Sequence, residues 1–465
     1  MNIKAFLKLG VAAAGLATAT LSSGAAWSAS LEEALLAAYD NNPTLLAQRA
    51  SLRVTNEGVA QAVSGWRPTV TGTGSLGAIN SDTDNNGVDT DSDRSFYSAA
   101  LSVTQNLYAG GGTEAGIASA EASVLSARAS LAATEQSILL EAATAYLDVL
   151  RDIAVLDLNQ QNEKRLQKQL EATQDRFDVG EVTRTDVAQA ESRLSRARAD
   201  TISAAGSLET SKANYEQIVG EPIDGQMATP VLNLGLPLSR EEAITLSSDK
   251  NPLVVAARHS YDASVMDVDS AEASLYPSLD LVGATNYNND VSGEDLTTKD
   301  ASIRLNLSVP IYQQGLVSSQ VRQAKESASL ARVQIEEQRR SVIETATSSW
   351  ENLKTTRAQI EAQQDEVRAT TIAFEGVEQE AIVGSRTVLD VLDAEQELLD
   401  AKVSLVRSQR DENVAQFALL AAIGGLTMSE LGLGADIYDA TAHYDDVRDK
   451  WWGIGPDIEK DAPAE

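Results

Sequence analysis

Apolar and polar positions along this chain recur with two periods. From Thr113 to Val179, and again from Val317 to Val383, no proline interrupts the run, and Gly116 and Gly376 are the only glycines. Each stretch predicts one helix of about 100 Å at 1.5 Å per residue. Ile138, Ala142, Ala145, Val149, Ile153 and Leu156 follow three-four spacing and predict a packing seam. Several seam residues are small, which lets helices approach closely. A helix of that length cannot be buried in one globular core, so it predicts a column in an assembly. Its alternating Glu and Arg positions read mainly as a solvated face.

The second period is two. Ile303, Leu305, Leu307, Val309 and Ile311 alternate with Ser302, Arg304, Asn306 and Ser308, and Ala99, Leu101, Val103 and Leu107 alternate with Ser98, Ser102, Thr104 and Asn106. These segments predict strands with one apolar face. Weaker, glycine-rich partners run from about Pro68 to Ile79 and from about Pro277 to Tyr287. The polar segments between partners, Asn80 to Arg94 and Asn288 to Lys299, read as exposed hairpin loops. Four strands are few for a soluble sandwich but long enough for tilted membrane strands, which need about 9–11 residues. Trp66, Phe96, Tyr97, Tyr108, Tyr276, Tyr287 and Tyr312 stand at their rims, as an aromatic girdle would. Two hairpins cannot close a barrel, so several chains must share one.

The pattern is written twice. SLEEALLAAYDNNP from Ser30 and SREEAITLSSDKNP from Ser239 share a frame 209 residues apart, as do Arg67-Pro68 and Tyr276-Pro277. Each opens with a capping box, Ser30 with Glu33 and Ser239 with Glu242. Asn42 and Asn251 then cap a second helix whose first residue is proline. Beyond the hairpins the offset becomes 204. Tyr108 matches Tyr312, Gly111 matches Gly315, Asp186-Val187 matches Asp390-Val391, Glu191 matches Glu395, and Gly220 matches Gly424. A five-residue loop difference accounts for the change, and two halves of this length indicate an internal duplication.

Composition narrows the class. Aromatics are 5%, cysteine is absent and the net charge is −31, which excludes nucleic acid as a partner. Lys4 and Lys8 flank an apolar run from Leu9 to Leu21, and Ala26 and Ser28 supply the small residues of a cleavage site. A signal peptide over 1–28 and a mature start near Ala29 are expected. No later stretch is apolar enough for a membrane helix, so any crossing must use strands. No P-loop, nucleophile elbow or metal spacing appears, and His259 and His443 sit in unrelated settings. The chain reads as a non-enzyme without a cofactor.

The long helices end at RFDVGEVTRTDV (Arg176 to Val187) and EAIVGSRTVLDV (Glu380 to Val391). Gly180 and Gly384 read as helix stops. Asp390 and Asp393, three apart, share one face of the returning helix. By sequence alone such acids complement the helix dipole. Arg386 reads alone as an exposed cation near a turn.

With the duplication, the strand exits Tyr108-Ala109-Gly110-Gly111 and Tyr312-Gln313-Gln314-Gly315, and these two turns, the chain resembles the TolC family of outer-membrane export channels, to about Leu433. The resemblance implies a mainly α fold with a small β part: an antiparallel α-helical barrel below a transmembrane β-barrel of twelve strands, four from each chain of a homotrimer. It divides the chain into a signal peptide (1–28), a first repeat (29–220), a linker or equatorial segment (221–238), a second repeat (239–424), and an equatorial segment with an acidic tail (425–465). The tail, bearing Trp451 and Trp452, is expected to be partly disordered or wrapped round the middle of the helical barrel.

The resemblance further implies a duct in the outer membrane of a Gram-negative bacterium. A periplasmic adaptor and an inner-membrane transporter of ABC or RND type recruit it, and it exports proteins by type I secretion, small molecules, or both. Asp390 and Asp393 line the closed periplasmic mouth. Arg386 latches that mouth to Thr185 and Asp186 of the neighbouring hairpin, and Gly180 and Gly384 meet the adaptor. The family's supporting tyrosine aligns with Ala381, and Gln189 stands where the second repeat has Asp393. The alternative from another class is a non-conducting periplasmic coiled-coil scaffold or adhesin.

Overall fold

The computed structural model describes residues 30–455 apart from 86, 224–226, 231–233, 293–294 and 435–436. The expected signal segment lies outside the described residues. Each half opens with two short helices: α1 (Leu31–Asn41) and α2 (Pro43–Val63), then α5 (Arg240–Lys250) and α6 (Pro252–Ala273). Ser30 forms the full reciprocal box, its hydroxyl accepting from Glu33 N–H while Glu33 accepts from Ser30 N–H. In the second half the box is only half made. Ser239 accepts from Glu242 N–H, but the Glu242 carboxylate turns to Leu238 N–H, one residue earlier. Asn42 and Asn251 cap α2 and α6 as expected, and each side-chain amide also donates to a helix end of its own half, Ile218 O and Ala422 O.

The long helices are α3 (Gly112–Asp178) and α7 (Leu316–Ile382), each of 67 residues. Gly111 and Gly315 precede them at φ 89° and 79°, a left-handed backbone that glycine adopts without strain. The returning helices are α4 (Arg184–Val219) and α8 (Val388–Ala422). Helix α3 packs against α2 and α6 along its upper part and against α4 and α8 along its lower part. Of the expected seam, Ile138, Ala142, Ala145 and Val149 are buried, whereas Ile153 is exposed because the contact surface drifts round so long a helix.

The largest core lies at mid-height, where α1, α3 and the ends of α4 and α8 meet the short α9 (Met428–Leu431). Tyr146 is fully buried there and donates to Ala228 O at 2.6 Å; burial pushes its phenol up to about 12. Full burial of leucines such as Leu139 and Leu419 contributes about 1.5–3 kcal/mol each. Arg49 donates to Tyr39 O and lies 4.4 Å and 5.1 Å from the rings of Tyr39 and Tyr438, fastening the start of the C-terminal segment to α1 and α2.

Four antiparallel strands form one open sheet in the order β1 (Thr69–Asn85), β2 (Val88–Ala109), β3 (Ser278–Asn289) and β4 (Thr297–Ser308). The sequence reading ended β1 near Ile79 and placed a loop from Asn80 to Arg94; instead the ladder runs on through Ile79↔Arg94 to Asn85↔Val88. Backbone pairing needs no apolar side chains, and Gly87 at φ 82° supplies the tight reversal. In the second half, β3 reaches Asn289 and β4 begins at Thr297, so strand replaces both ends of the expected loop. Strand β4 stops at Ser308, two residues before Pro310, which leaves Val309 and Ile311 outside it.

Candidate functional site

The two turns share one backbone and differ in charge. At the first, Gly180 (φ 81°) donates to Phe177 O, Glu181 donates to Arg176 O, and the Arg176 guanidinium meets the Glu181 carboxylate at 3.2 Å. At the second, Gly384 (φ 81°) donates to Ala381 O, Ser385 donates to Glu380 O, and Arg386 meets Glu380 at 2.8 Å. The cation therefore stands before the glycine in one turn and after it in the other. A Cβ on either glycine would meet no atom within 4 Å, so the positive φ alone calls for glycine.

The returning helices begin with matching caps. Thr183 and Thr387 are the N-caps, and Asp186 and Asp390 complete reciprocal boxes, each carboxylate accepting from the threonine N–H at 2.7 and 2.9 Å. Those threonine bonds hold both carboxyls below the usual carboxylate range; the Thr183 hydroxyl leads for Asp186 and the Thr387 N–H for Asp390. Thr185 is exposed in the first turn of α4. Within one chain Arg386 bonds Glu380 in its own turn, and no contact brings it to Thr185 or Asp186. Asp393 accepts from Arg193 of α4 at 2.5 Å.

That last pair has a deeper companion. Arg165 of α3 donates to Glu395 of α8 at 2.7 Å, with the Glu395 side chain only 4% exposed. Burial raises the Glu395 carboxyl above its ordinary range, and Arg165 draws it partly back. Leu166, Ala190, Leu194, Val388 and Leu392 pack beside the pair. The lower end of α8 is thereby bound to the first hairpin by a small core and two ion pairs. Neither pair has a counterpart at the equivalent repeat positions, which hold Ala369 with Glu191 and Glu397 with Gln189. Arg165, Arg193 and the burial of Glu395 were not anticipated from sequence; the mismatch between repeats at these positions was the available signal.

Above the helices, the sheet turns its apolar face outward. Register places Val70, Val103, Gly283 and Ile303 in one row, and Gly72, Leu101, Thr285 and Ala301 in the next. Leu76, Ile303, Leu305 and Leu307 are 64–87% exposed. The opposite face carries Ser98, Ser102, Asn286, Asp300 and Arg304. A soluble sheet buries its apolar face, whereas this one offers it to the surroundings. Tyr97 and Tyr287 stack at 5.7 Å at the far rim of the apolar band, and Tyr108, Tyr276 and Tyr312 are exposed at the near one. Phe96 leaves the expected girdle, because alternation turns it to the polar face, where its ring fills the space beside Gly77.

The sequence model of the outer membrane efflux proteins matches residues 34–221 and again 243–425. The chain belongs to that family. It is 34% identical over 447 residues to the outer membrane efflux protein BepC of Brucella suis, covering 96% of each chain. To the outer membrane protein TolC of Vibrio cholerae it is 30% identical over 450 residues, covering 95% of this chain and 98% of that one. The alkaline protease secretion protein AprF of Pseudomonas aeruginosa is 24% identical over 309 residues, 64% of each chain. The fold is shared with the CmeC outer membrane channel of Campylobacter jejuni, at a TM-score of 0.76 and 16% identity over 90% of this chain and 89% of that one. CusC gives 0.75 at 18% identity, covering 85% and 92%. The family places this protein in the outer membrane of a Gram-negative bacterium. No described helix is long and apolar enough to cross a membrane; the outward apolar face belongs to strands.

Proposed function

We propose that three copies of this chain close into one duct that carries cargo out of the cell. Its twelve strands form a barrel in the membrane, and its six helical hairpins form a tunnel below. The observation that carries this reading is the incomplete second half of the contact pattern. Helix α3 packs on both α2 and α6, but of these two α7 meets only α6, and among the described residues the sheet ends in two unpaired edges, β1 and β4. A neighbouring copy supplies α2 to α7 and β1 to β4, a head-to-tail contact that closes by rotation.

At the tunnel's lower end Asp390 and Asp393 form the constriction. Six such carboxylates round an axis select cations and bind multivalent ones. Arg386 exchanges Glu380 for Thr185 and Asp186 of the adjacent hairpin to latch the closed mouth. The tips at Gly180 and Gly384 receive a periplasmic adaptor, which links the duct to an inner-membrane transporter of ABC or RND type. The similarity to the efflux protein BepC supports efflux, and that to the alkaline protease secretion protein AprF supports export of protein.

Planar-bilayer conductance of the purified protein tests the reading. Ion-selective conductance from a heat-resistant trimer is expected, and the Asp390→Ala/Asp393→Ala variant should lose most of the block by divalent or trivalent cations. A soluble monomer without conductance would sink the duct in favour of a scaffold, and unchanged block would remove these two residues from the constriction.

A further inference from the structure

The described end of the chain does not wrap round the middle of the helices. It leaves the mid-height core at Tyr438, whose N–H donates to Tyr39 Oη at 3.1 Å, and then climbs. A short helix, α10 (Ala442–Val447), buries Val447 against α2, with His443 Nδ1 3.4 Å from Asn56. Arg448 and the Tyr444 hydroxyl both reach Glu121 on α3, at 3.0 and 3.2 Å. Finally Arg67, two residues before β1, donates to Lys450 O at 2.6 Å and lies 5.0 Å from the Trp451 ring. The segment is fastened at three heights and delivers its last described residues to the foot of the sheet.

What it delivers there is apolar and uncovered. Trp451 is 60% exposed, Trp452 86%, and Ile454 wholly. Through Arg67 this stretch is held at the foot of β1, whose first outward residue, Val70, lies three positions further on. The duct reading uses none of them. A cluster of this kind on a water-facing surface is unfavourable, since each large side chain leaves apolar area in contact with solvent. At a membrane boundary the same chemistry is favourable. Indole rings settle at the headgroup level with their N–H groups towards water, and an ammonium beside them meets lipid phosphate.

We propose that Trp451, Trp452 and Ile454, with Lys450, form an interfacial anchor in the phospholipid leaflet through which the strands enter from the tunnel side. The partner is lipid because Arg67 holds the cluster at the foot of β1, where the exposed apolar rows of the strands begin. The apolar stretch is short and lies between acids: Asp445, Asp446 and Asp449 precede it, with Asp446 3.7 Å from the Lys450 ammonium, and Asp457, Glu459, Asp461 and Glu465 follow it in the sequence. The anchor rests on the proposed membrane barrel but not on the gate: a trimer that conducts while its tryptophans escape bromolipid overturns the anchor and leaves the duct standing.

The test uses the mature trimer in phosphatidylcholine vesicles, with Trp66→Phe and Trp350→Phe so that only Trp451 and Trp452 emit. Acyl chains brominated near the headgroup should remove most of the emission relative to unbrominated lipid, while aqueous acrylamide should quench weakly. Strong acrylamide quenching without bromolipid quenching would overturn the anchor and leave the tryptophans in water. Insensitivity to both quenchers would overturn it in favour of cover by a neighbouring protein surface. Adding Trp452→Ala keeps Trp451 stacked on Arg67 and guards against misfolding. Trp451 alone must still be quenched by bromolipid, and its failure to be so overturns the proposal.

Discussion

Helices α3 and α7 have the same length and the same place in their repeats, yet α3 buries a long succession of residues from Ala115 to Thr173, while α7 leaves Leu330, Val333 and Ile372 each 59% exposed or more. Local propensity does not explain the difference, because both are unbroken helices. The cause is position. Helix α3 is an interior column with partners on both flanks, and α7 is an edge. Ser126 of α3 donates to Ala256 O of α6 at 2.9 Å, and its repeat equivalent, Leu330 of α7, is 59% exposed. At this position two copies of one design have acquired different residues, serine where the seam lies within a chain and leucine where the proposed seam lies between chains.

The largest expected effect comes from spoiling that edge. Leu330→Glu should abolish the heat-resistant trimer on gel electrophoresis, since each of three seams loses about 2 kcal/mol of apolar burial and gains a buried charge. Ser126→Glu, the matched change inside the chain, should lower expression of folded protein instead. If both variants fail alike, the distinction between interior and edge is wrong.

Next in size is the binding of α8 to the first hairpin. Arg165→Ala leaves the Glu395 carboxyl buried without its cation. The cost should be about 2 kcal/mol, below that of a fully buried pair because Arg165 is 38% exposed. The burial that raises the Glu395 carboxyl above its ordinary range means the folded form holds the proton longer than the unfolded one. Without Arg165 the loss of stability should therefore grow as pH rises through that range. Thermal melts at several pH values check this, and a pH-independent loss would show that Glu395 is not the group left uncompensated. Arg193→Ala, at a half-exposed pair, should cost less than Arg165→Ala.

The smallest effects concern the turns, where the repeats agree. Gly180→Ala and Gly384→Ala should each cost about 1 kcal/mol, the price of a left-handed backbone with a Cβ, and should cost the same. The depressed carboxyls of Asp186 and Asp390 stabilise the helix starts above the usual carboxylate range, and that contribution is lost as pH falls through their lowered values. Amide exchange at the first turns of α4 and α8 should accelerate together on acidification.

Much of this was legible in the residues because it depends on local chemistry. Helix lengths followed from the absence of proline, the caps of the short helices from Ser and Asn, and the outward sheet face from strict alternation. The tall β1–β2 hairpin escaped because its upper part, rich in Asp, Ser and Thr, satisfies its backbone without an apolar pattern to announce it. Asp390 and Asp393 lie three apart on α8, but their partners were not visible in the sequence. Thr387 is local, whereas Arg193 comes from a helix 200 positions away. The C-terminal climb depends on single contacts such as Arg67 with Lys450, which carry no period at all.

The swapped ion pairs across the two turns, Arg176 with Glu181 and Glu380 with Arg386, bear on how a ring of hairpins would be addressed from below. By backbone shape the tips of such a ring are interchangeable, a socket that accepts a plug at every hairpin. By charge they alternate in polarity, so a plug displaced by one hairpin meets every cation where it expects an anion. In the proposed ring the duplication would make a socket with too many positions, and the reversed ion pair would key it.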